Sequence, residues 1–199
     1  MPLNSLDQEL IASSKLEAKT LQELHRKEKL LTHTKMLLLQ KNPIDGGLDY
    51  SHLKAIHYFL FAEVYSWAGQ DRYDANISAK FGKESTLFTP YEKLPHVASA
   101  LFGALRDENY FMGQSKNDFI ESSTVFMNGL NILHPFREGN GRVQRIFMQY
   151  LADNAGYSLN FEDVASNEMV QASIEGAKGN LLLLKKIFTK CTKKQGNRQ

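Results

Sequence analysis

The sequence is poor in most of what marks a secreted, membrane-bound or nucleic-acid-binding protein. Its 199 residues include one cysteine, Cys191, so no internal disulfide can form and a reducing compartment fits. No apolar run near the start exceeds Met36 to Leu39, whereas a membrane-spanning helix needs about 20 apolar residues. The N-terminus has no basic segment leading into an apolar one, so no signal peptide is expected and the protein is assigned to the cytoplasm. Neither sign of charge dominates: 24 Lys and Arg stand against 22 Asp and Glu, a net +2. That is too little to imply nucleic acid. Only the C-terminus is basic, with Lys185, Lys186, Lys190, Lys193, Lys194 and Arg198, read as a solvated tail over 193–199. Repeats and low-complexity stretches are absent. The 42% apolar and 23% charged content is that of an ordinary globular chain, long enough for one domain and a small appendage.

Helical periodicity dominates what is present. Residues 5 to 40 are rich in Leu, Glu, Lys and Gln, good helix formers. The breaker cluster Asn42-Pro43-Ile44-Asp45-Gly46-Gly47 ends them, setting off an N-terminal segment, 1–44, from a domain over 45–192. Leu53, Ile56, Leu60, Val64 and Trp67 share a face, predicting a helix from an N-cap at Ser51 to a stop at Gly69. From Tyr73 to Thr89 the helical period is lost. β-branched residues and aromatics around Gly82 predict a hairpin turning near Phe81-Gly82-Lys83-Glu84, the one good strand candidate. Thr89-Pro90 reads as the start of a helix reaching Asn109, with Pro95 able to delay it. Phe119, Ser123, Phe126, Leu130 and Leu133 mark the next helix. Others are expected at about 141–155, 162–176 and 180–191, the last capped by Asn180. The fold class is all-α: a helical bundle carrying one β-hairpin.

The chemistry lies where one helix meets the next. His134 ends a helix that Pro135 forbids from continuing. Gly139, Asn140 and Gly141 can adopt positive φ, letting successive N–H groups converge into an anion nest. The following helix N-terminus adds orphan donors and a favourable dipole. Arg142 and Arg145, read as lying in its first turn, are three apart and share a face. Two guanidinium groups and a nest suit several phosphates. Glu138 is placed to hold a Mg²⁺ that bridges phosphate oxygens. His134 is the one side chain of the loop that accepts a proton near neutral pH. Singly, each has a structural explanation; base, acid, nest and two arginines within twelve residues favour a site.

The run His134-Pro135-Phe136-Arg137-Glu138-Gly139-Asn140-Gly141-Arg142-Val143-Gln144-Arg145 resembles the signature of Fic (cell-filamentation) proteins, His-x-Phe-x-Asp/Glu-Gly-Asn-Gly-Arg-x-x-Arg, at every defining position. The resemblance extends over about residues 50–190. It implies a Fic-type helical bundle and a protein adenylyltransferase, moving AMP from ATP to a Tyr, Ser or Thr hydroxyl of a target protein. His134 resembles the base, Glu138 the Mg²⁺ ligand, Asn140 with the Gly139 and Gly141 amides the phosphate holders, Arg142 and Arg145 the β,γ-phosphate clamps, and Phe136 the loop anchor. Doc-type kinases have Lys where this chain has Gly141, so Gly141 and Arg145 point to the AMP-transferring branch.

Two further stretches carry the resemblance. Asn76-Ile77-Ser78-Ala79 to Thr86-Leu87-Phe88 is similar to the flap on which Fic proteins bind the target segment by strand addition. Ile77, Ser78, Leu87 and Phe88 are its candidate contacts. Ser13-Ser14-Lys15-Leu16-Glu17-Ala18 is similar to the inhibitory motif Ser/Thr-x-x-x-Glu-Gly/Asn, except at Ala18. There Glu17, with Ser13, would pair with Arg145 and block the γ-phosphate; a small inhibitor protein is the other route to restraint. The alternatives are a regulatory or binding module with a degenerate site, and a Fic enzyme moving another nucleotide or phosphate-linked group. A nucleic-acid-binding protein lacks its basic stripe, a zinc hydrolase lacks a second ligand pair, and no membrane partner is expected.

Overall fold

The computed structural model describes residues 5–77, 82–83 and 86–196. Among them are eight α-helices and two short antiparallel pairs. They form two compact units, one made of the residues up to Gly47 together with Ser51–Gln70, the other of Leu48–Tyr50 and everything from Asp71 on.

The first unit is built on α1 (Ser5–Ala12), α2 (Leu21–Lys41) and α3 (Tyr50–Phe61), whose first residue belongs to the second unit. The helix-favouring run over 5–40 is interrupted at Ser13. Lys15 N–H donates to the Val64 carbonyl (2.8 Å) and Ser66 N–H to the Ser13 carbonyl (3.1 Å). Ser14 thereby pairs with Tyr65. A backbone bonded sideways in this way cannot also bond along a helix axis. The same pairing shortens α3, which ends at Phe61 rather than Gly69. Val64 and Trp67 are nevertheless buried, as their apolar character requires. Thr20 caps α2 by accepting from Glu23 N–H at 3.1 Å.

The second unit is arranged about α5 (Lys116–Leu133). It packs against α4 (Leu94–Asp107), α6 (Asn140–Asn154), α7 (Ser166–Ala177) and α8 (Leu182–Cys191). A helix with neighbours on several sides must be apolar on several sides. Phe119, Ile120, Phe126, Met127, Leu130 and Leu133 are accordingly all buried. Ser115 caps it, accepting from Asp118 N–H. α4 begins at Leu94, later than Thr89-Pro90 suggested. Thr89 is not a cap: its N–H and hydroxyl both donate to the Ile132 carbonyl, at 2.9 and 3.1 Å. The N-cap of α8 is Leu181 rather than Asn180; from one residue earlier, the Asn180 side chain accepts from Leu182 N–H (3.2 Å).

The hairpin forms as β1 (Gly82–Lys83) and β2 (Thr86–Leu87), with Gly82 opposite Leu87 and Lys83 opposite Thr86. Gly82 and Lys83 are therefore strand residues, not the turn. A second pair was not predicted: β3 (Tyr157–Leu159) lies antiparallel to β4 (Thr192–Lys194), with Ser158 opposite Lys193. The basic C-terminal run is consequently built into the fold. Lys193 and Lys194 are in β4, Lys185 pairs with Glu121, and Lys190 Nζ donates to the Asp163 carbonyl at 2.8 Å. No described helix is long and apolar enough to cross a membrane.

Candidate active site

His134 is the last word of α5. Its N–H donates to the Leu130 carbonyl (3.0 Å) and its backbone then turns left-handed, φ 43° and ψ 60°. For a residue with a Cβ that conformation costs about 1–2 kcal/mol, so neighbouring groups must hold it. The imidazole lies against the Phe88 ring, centroids 3.7 Å apart and planes 8° from parallel.

The loop beyond is braced from inside. Phe136 is buried, at 1% exposure, as an anchor requires. Asn140 Oδ1 accepts from Phe136 N–H (2.9 Å), and Asn140 Nδ2 donates to the Phe136 carbonyl (2.7 Å). The Asn140 side chain is thus held by the loop backbone at both its oxygen and its nitrogen. What Asn140 and Gly141 offer an anion is their backbone N–H groups, in the first turn of α6, which have no intrahelical acceptor. Gly139, the N-cap, has φ 81°, open to glycine at little cost. Its N–H donates to Glu138 Oε1 at 2.9 Å.

Arg142 Nη2 stands 3.7 Å from the same Glu138 oxygen. Arg145 lies in the second turn of α6 rather than the first. It is half-buried and makes no hydrogen bond or ion pair among the described residues. Burial, with the nearby charge of Arg142, holds its guanidinium below the usual arginine range. A desolvated cation of this kind stabilises an anion that reaches it. A Cβ added to Gly141 would touch Arg145 Nη1, at 3.4 Å, so this position is open because it is glycine.

His134, Gly141 and Arg145 line a cavity of about 180 Å³. Met127 from α5 and Met169, Val170 and Ile174 from α7 give it apolar surface, and Asn131, Gln144, Ser166 and Ser173 add polar groups. A mainly apolar lining with a few polar and charged groups suits a nucleotide. Glu138 fits a Mg²⁺ ion in the form nucleotide sites use, one carboxylate plus phosphate oxygens; among the described residues no cluster of three acidic or histidine ligands forms a separate metal cage.

The sequence reading missed Arg72. Its side chain is 1% exposed, and it donates from Nε to the His134 carbonyl (2.9 Å) and from Nη2 to the carbonyls of Thr89 (2.7 Å) and Leu133 (3.3 Å). Burial lowers its pKa, while Tyr50 and Asp71 act in the opposite sense. Asp71 accepts from the Tyr50 hydroxyl (2.7 Å) and from the N–H groups of Tyr73 and Asp74. Burial foremost, and then this bond to Asp71, raises the Tyr50 phenol far above its ordinary value. Nothing local in the sequence distinguishes Arg72 from a surface arginine; its acceptors lie 17 to 62 residues away.

Of the flap residues, Ile77 donates its N–H to the Arg72 carbonyl (2.8 Å), Leu87 is in β2 and Phe88 faces His134. Ser78 lies outside the described residues. Ser13 and Glu17 belong to the first unit. The Ser13 hydroxyl donates to the Leu10 carbonyl and accepts from Trp67 Nε1, both at 3.0 Å. Glu17 is exposed in the connection before α2, its carbonyl accepting from Lys27 Nζ. It is therefore not on a helix.

The Fic/DOC family profile matches residues 47–152, a span that carries this entire loop. The chain belongs to the Fic/DOC family. It is 36% identical over 157 residues to protein adenylyltransferase VbhT of Bartonella schoenbuchensis, covering 79% of this chain and 32% of VbhT. The chain thus spans about a third of that relative. It is 31% identical to a probable protein adenylyltransferase Fic of Escherichia coli, over 94% of this chain and 90% of that one. Among solved structures, the BepC protein of Bartonella tribocorum with bound AMPPNP superposes with a TM-score of 0.83 at 25% identity, covering 92% of each chain. The N-terminal Fic domain of a Bartonella quintana effector with bound ADP gives 0.83 at 27% identity, over 92% of this chain and 90% of that one. The Fic fold is thereby established for this chain: a helical bundle with the hairpin before the motif loop.

Proposed function

We propose that this Fic protein is a protein adenylyltransferase, moving AMP from ATP to a Tyr, Ser or Thr hydroxyl of a target protein. The observation that carries the reading is a single cavity lined by the imidazole of His134 at the end of one helix and by the guanidinium of Arg145, unpaired among the described residues, near the start of the next. One group takes a proton; the other receives phosphate charge.

His134 removes the proton of the target hydroxyl. The hydroxyl oxygen bonds to the α-phosphorus, the bond from that phosphorus to the α,β-bridging oxygen breaks, and pyrophosphate leaves. Arg142, Arg145 and the first N–H groups of α6 hold the phosphates in line, so positioning and charge stabilisation do most of the work. Glu138 would hold Mg²⁺, which when bound neutralises charge on the departing phosphates. The wall of Met127, Met169, Val170 and Ile174 takes the nucleoside. Gly141 favours this branch over a kinase, because a lysine there would set a third cation against Arg145. The flap receives an extended target segment by strand addition, bringing its hydroxyl to His134 beside Phe88. Glu17, or a small inhibitor protein, restrains the reaction, which we assign to the cytoplasm.

The test is incubation of wild type and His134→Ala with α-labelled ATP, Mg²⁺ and cell lysate. Label on protein, with the mass shift of AMP and dependent on His134, is the expected result. Label from wild type and variant alike, or from neither, rejects the reading. A different mass shift identifies another transferred group.

A further inference from the structure

Arg72 is the largest side chain that the fold buries completely. A buried guanidinium is costly unless its donors are met, and the carbonyls of Thr89, Leu133 and His134 meet three of its N–H directions. Leu133 and His134 supply two of them, the last carbonyls of α5, which have no partner within the helix. A cation there also complements the negative end of the helix dipole.

The remaining contacts reach further. Arg72 N–H donates to the Pro135 carbonyl at 2.8 Å, so the carbonyls of both His134 and Pro135 are oriented by this one residue. Those are the two peptide planes that follow the left-handed turn at His134. From the other side, Leu130 accepts the His134 N–H. The hairpin is held as well. Its entry, Ile77, donates to the Arg72 carbonyl, and its exit, Thr89, accepts from Arg72 Nη2. Thr89 directly follows Phe88, whose ring covers the imidazole.

We propose that Arg72 is a positioning residue for the transfer reaction: its guanidinium fixes the carbonyls of Leu133 and His134 and the exit of the flap at Thr89, setting the imidazole where a target hydroxyl arrives. The proposal rests on the adenylyltransferase reading for its kinetic arm only. Arg72 does not line the cavity proposed to take the nucleotide, so its replacement should act on the rate of transfer more than on nucleotide affinity.

The experiment compares wild type, Arg72→Met and Arg72→Lys. AMP transfer from α-labelled ATP to lysate proteins is measured at limiting and saturating ATP, AMPPNP binding by calorimetry, and the His134 imidazole by NMR, assigned against His134→Ala. The expected result for Arg72→Met is a fall of about 30-fold or more at saturating ATP. AMPPNP affinity stays within about threefold, and the His134 ring resonance shifts. Arg72→Lys, which keeps the charge but reaches fewer carbonyls, should recover part of the rate. The proposal is overturned if Arg72→Met transfers AMP like wild type, or if affinity and rate fall together in proportion to folded protein. Should Arg72→Met not fold, an unmoved His134 resonance in Arg72→Lys is equally fatal. If wild type transfers no AMP, the functional reading fails, while the His134 resonance still decides the role of Arg72.

Discussion

Phe88 lies flat on the imidazole of His134, with 3.7 Å between ring centroids. The contact joins the hairpin to the imidazole, so under the proposed reaction a target segment laid along the hairpin is registered against the proton acceptor. Phe88→Ala removes a stacking contact worth about 0.5–1.5 kcal/mol. Transfer should slow by about 3- to 10-fold, with any loss of ATP affinity smaller than the loss of rate, since Phe88 also lines the cavity; initial rates across an ATP series read both. A larger loss of ATP affinity than of rate would contradict this division of labour.

His134→Ala removes the base while leaving the phosphate seat intact. The rate of AMP transfer should fall by about 10²- to 10⁴-fold. Isothermal titration with AMPPNP should give a dissociation constant close to that of wild type.

Arg145 is the half-buried cation to which the described residues supply no partner. Arg145→Gln should weaken AMPPNP by roughly 10- to 100-fold while changing AMP affinity by less than about threefold, because charge-assisted hydrogen bonds to the outer phosphates are lost, each worth about 1.5–3 kcal/mol. Equal losses for both nucleotides would move Arg145 away from the outer phosphates.

The Asn140 side chain braces the loop through the Phe136 backbone. Asn140→Ala leaves the buried N–H and carbonyl of Phe136 without their side-chain partner, at a cost of about 1–3 kcal/mol. Urea unfolding should show the lower midpoint, and Asn140→Asp, which retains the acceptor alone, should fall between the two.

Glu17 sits in an extended, exposed connection. If its carboxylate restrains the enzyme, Glu17→Gly raises the transfer rate several-fold at fixed ATP without altering thermal stability. An unchanged rate assigns restraint to another chain.

The motif loop was legible because its meaning is local: twelve consecutive residues hold base, acid, glycines and arginines, and their spacing alone puts two cations on one helix. The helices of the second unit were legible for a similar reason, since α5 displays its apolar contacts as a simple period. Arg72 was not, because its acceptors at Thr89, Leu133 and His134 become neighbours only through folding. The breaks at Ser13 and Phe61 share one cause. Each terminates a helix-favouring run through pairing with a segment about 50 residues distant, and long-range pairing overrides propensity. β3 and β4, three residues each, are too short to show alternation.

Gln144 Nε2, on α6, donates to the Leu130 carbonyl on α5 at 2.9 Å, and that same carbonyl accepts from His134. Proton acceptor and anion cradle are therefore parts of a single splice between two core helices, with little freedom to drift apart.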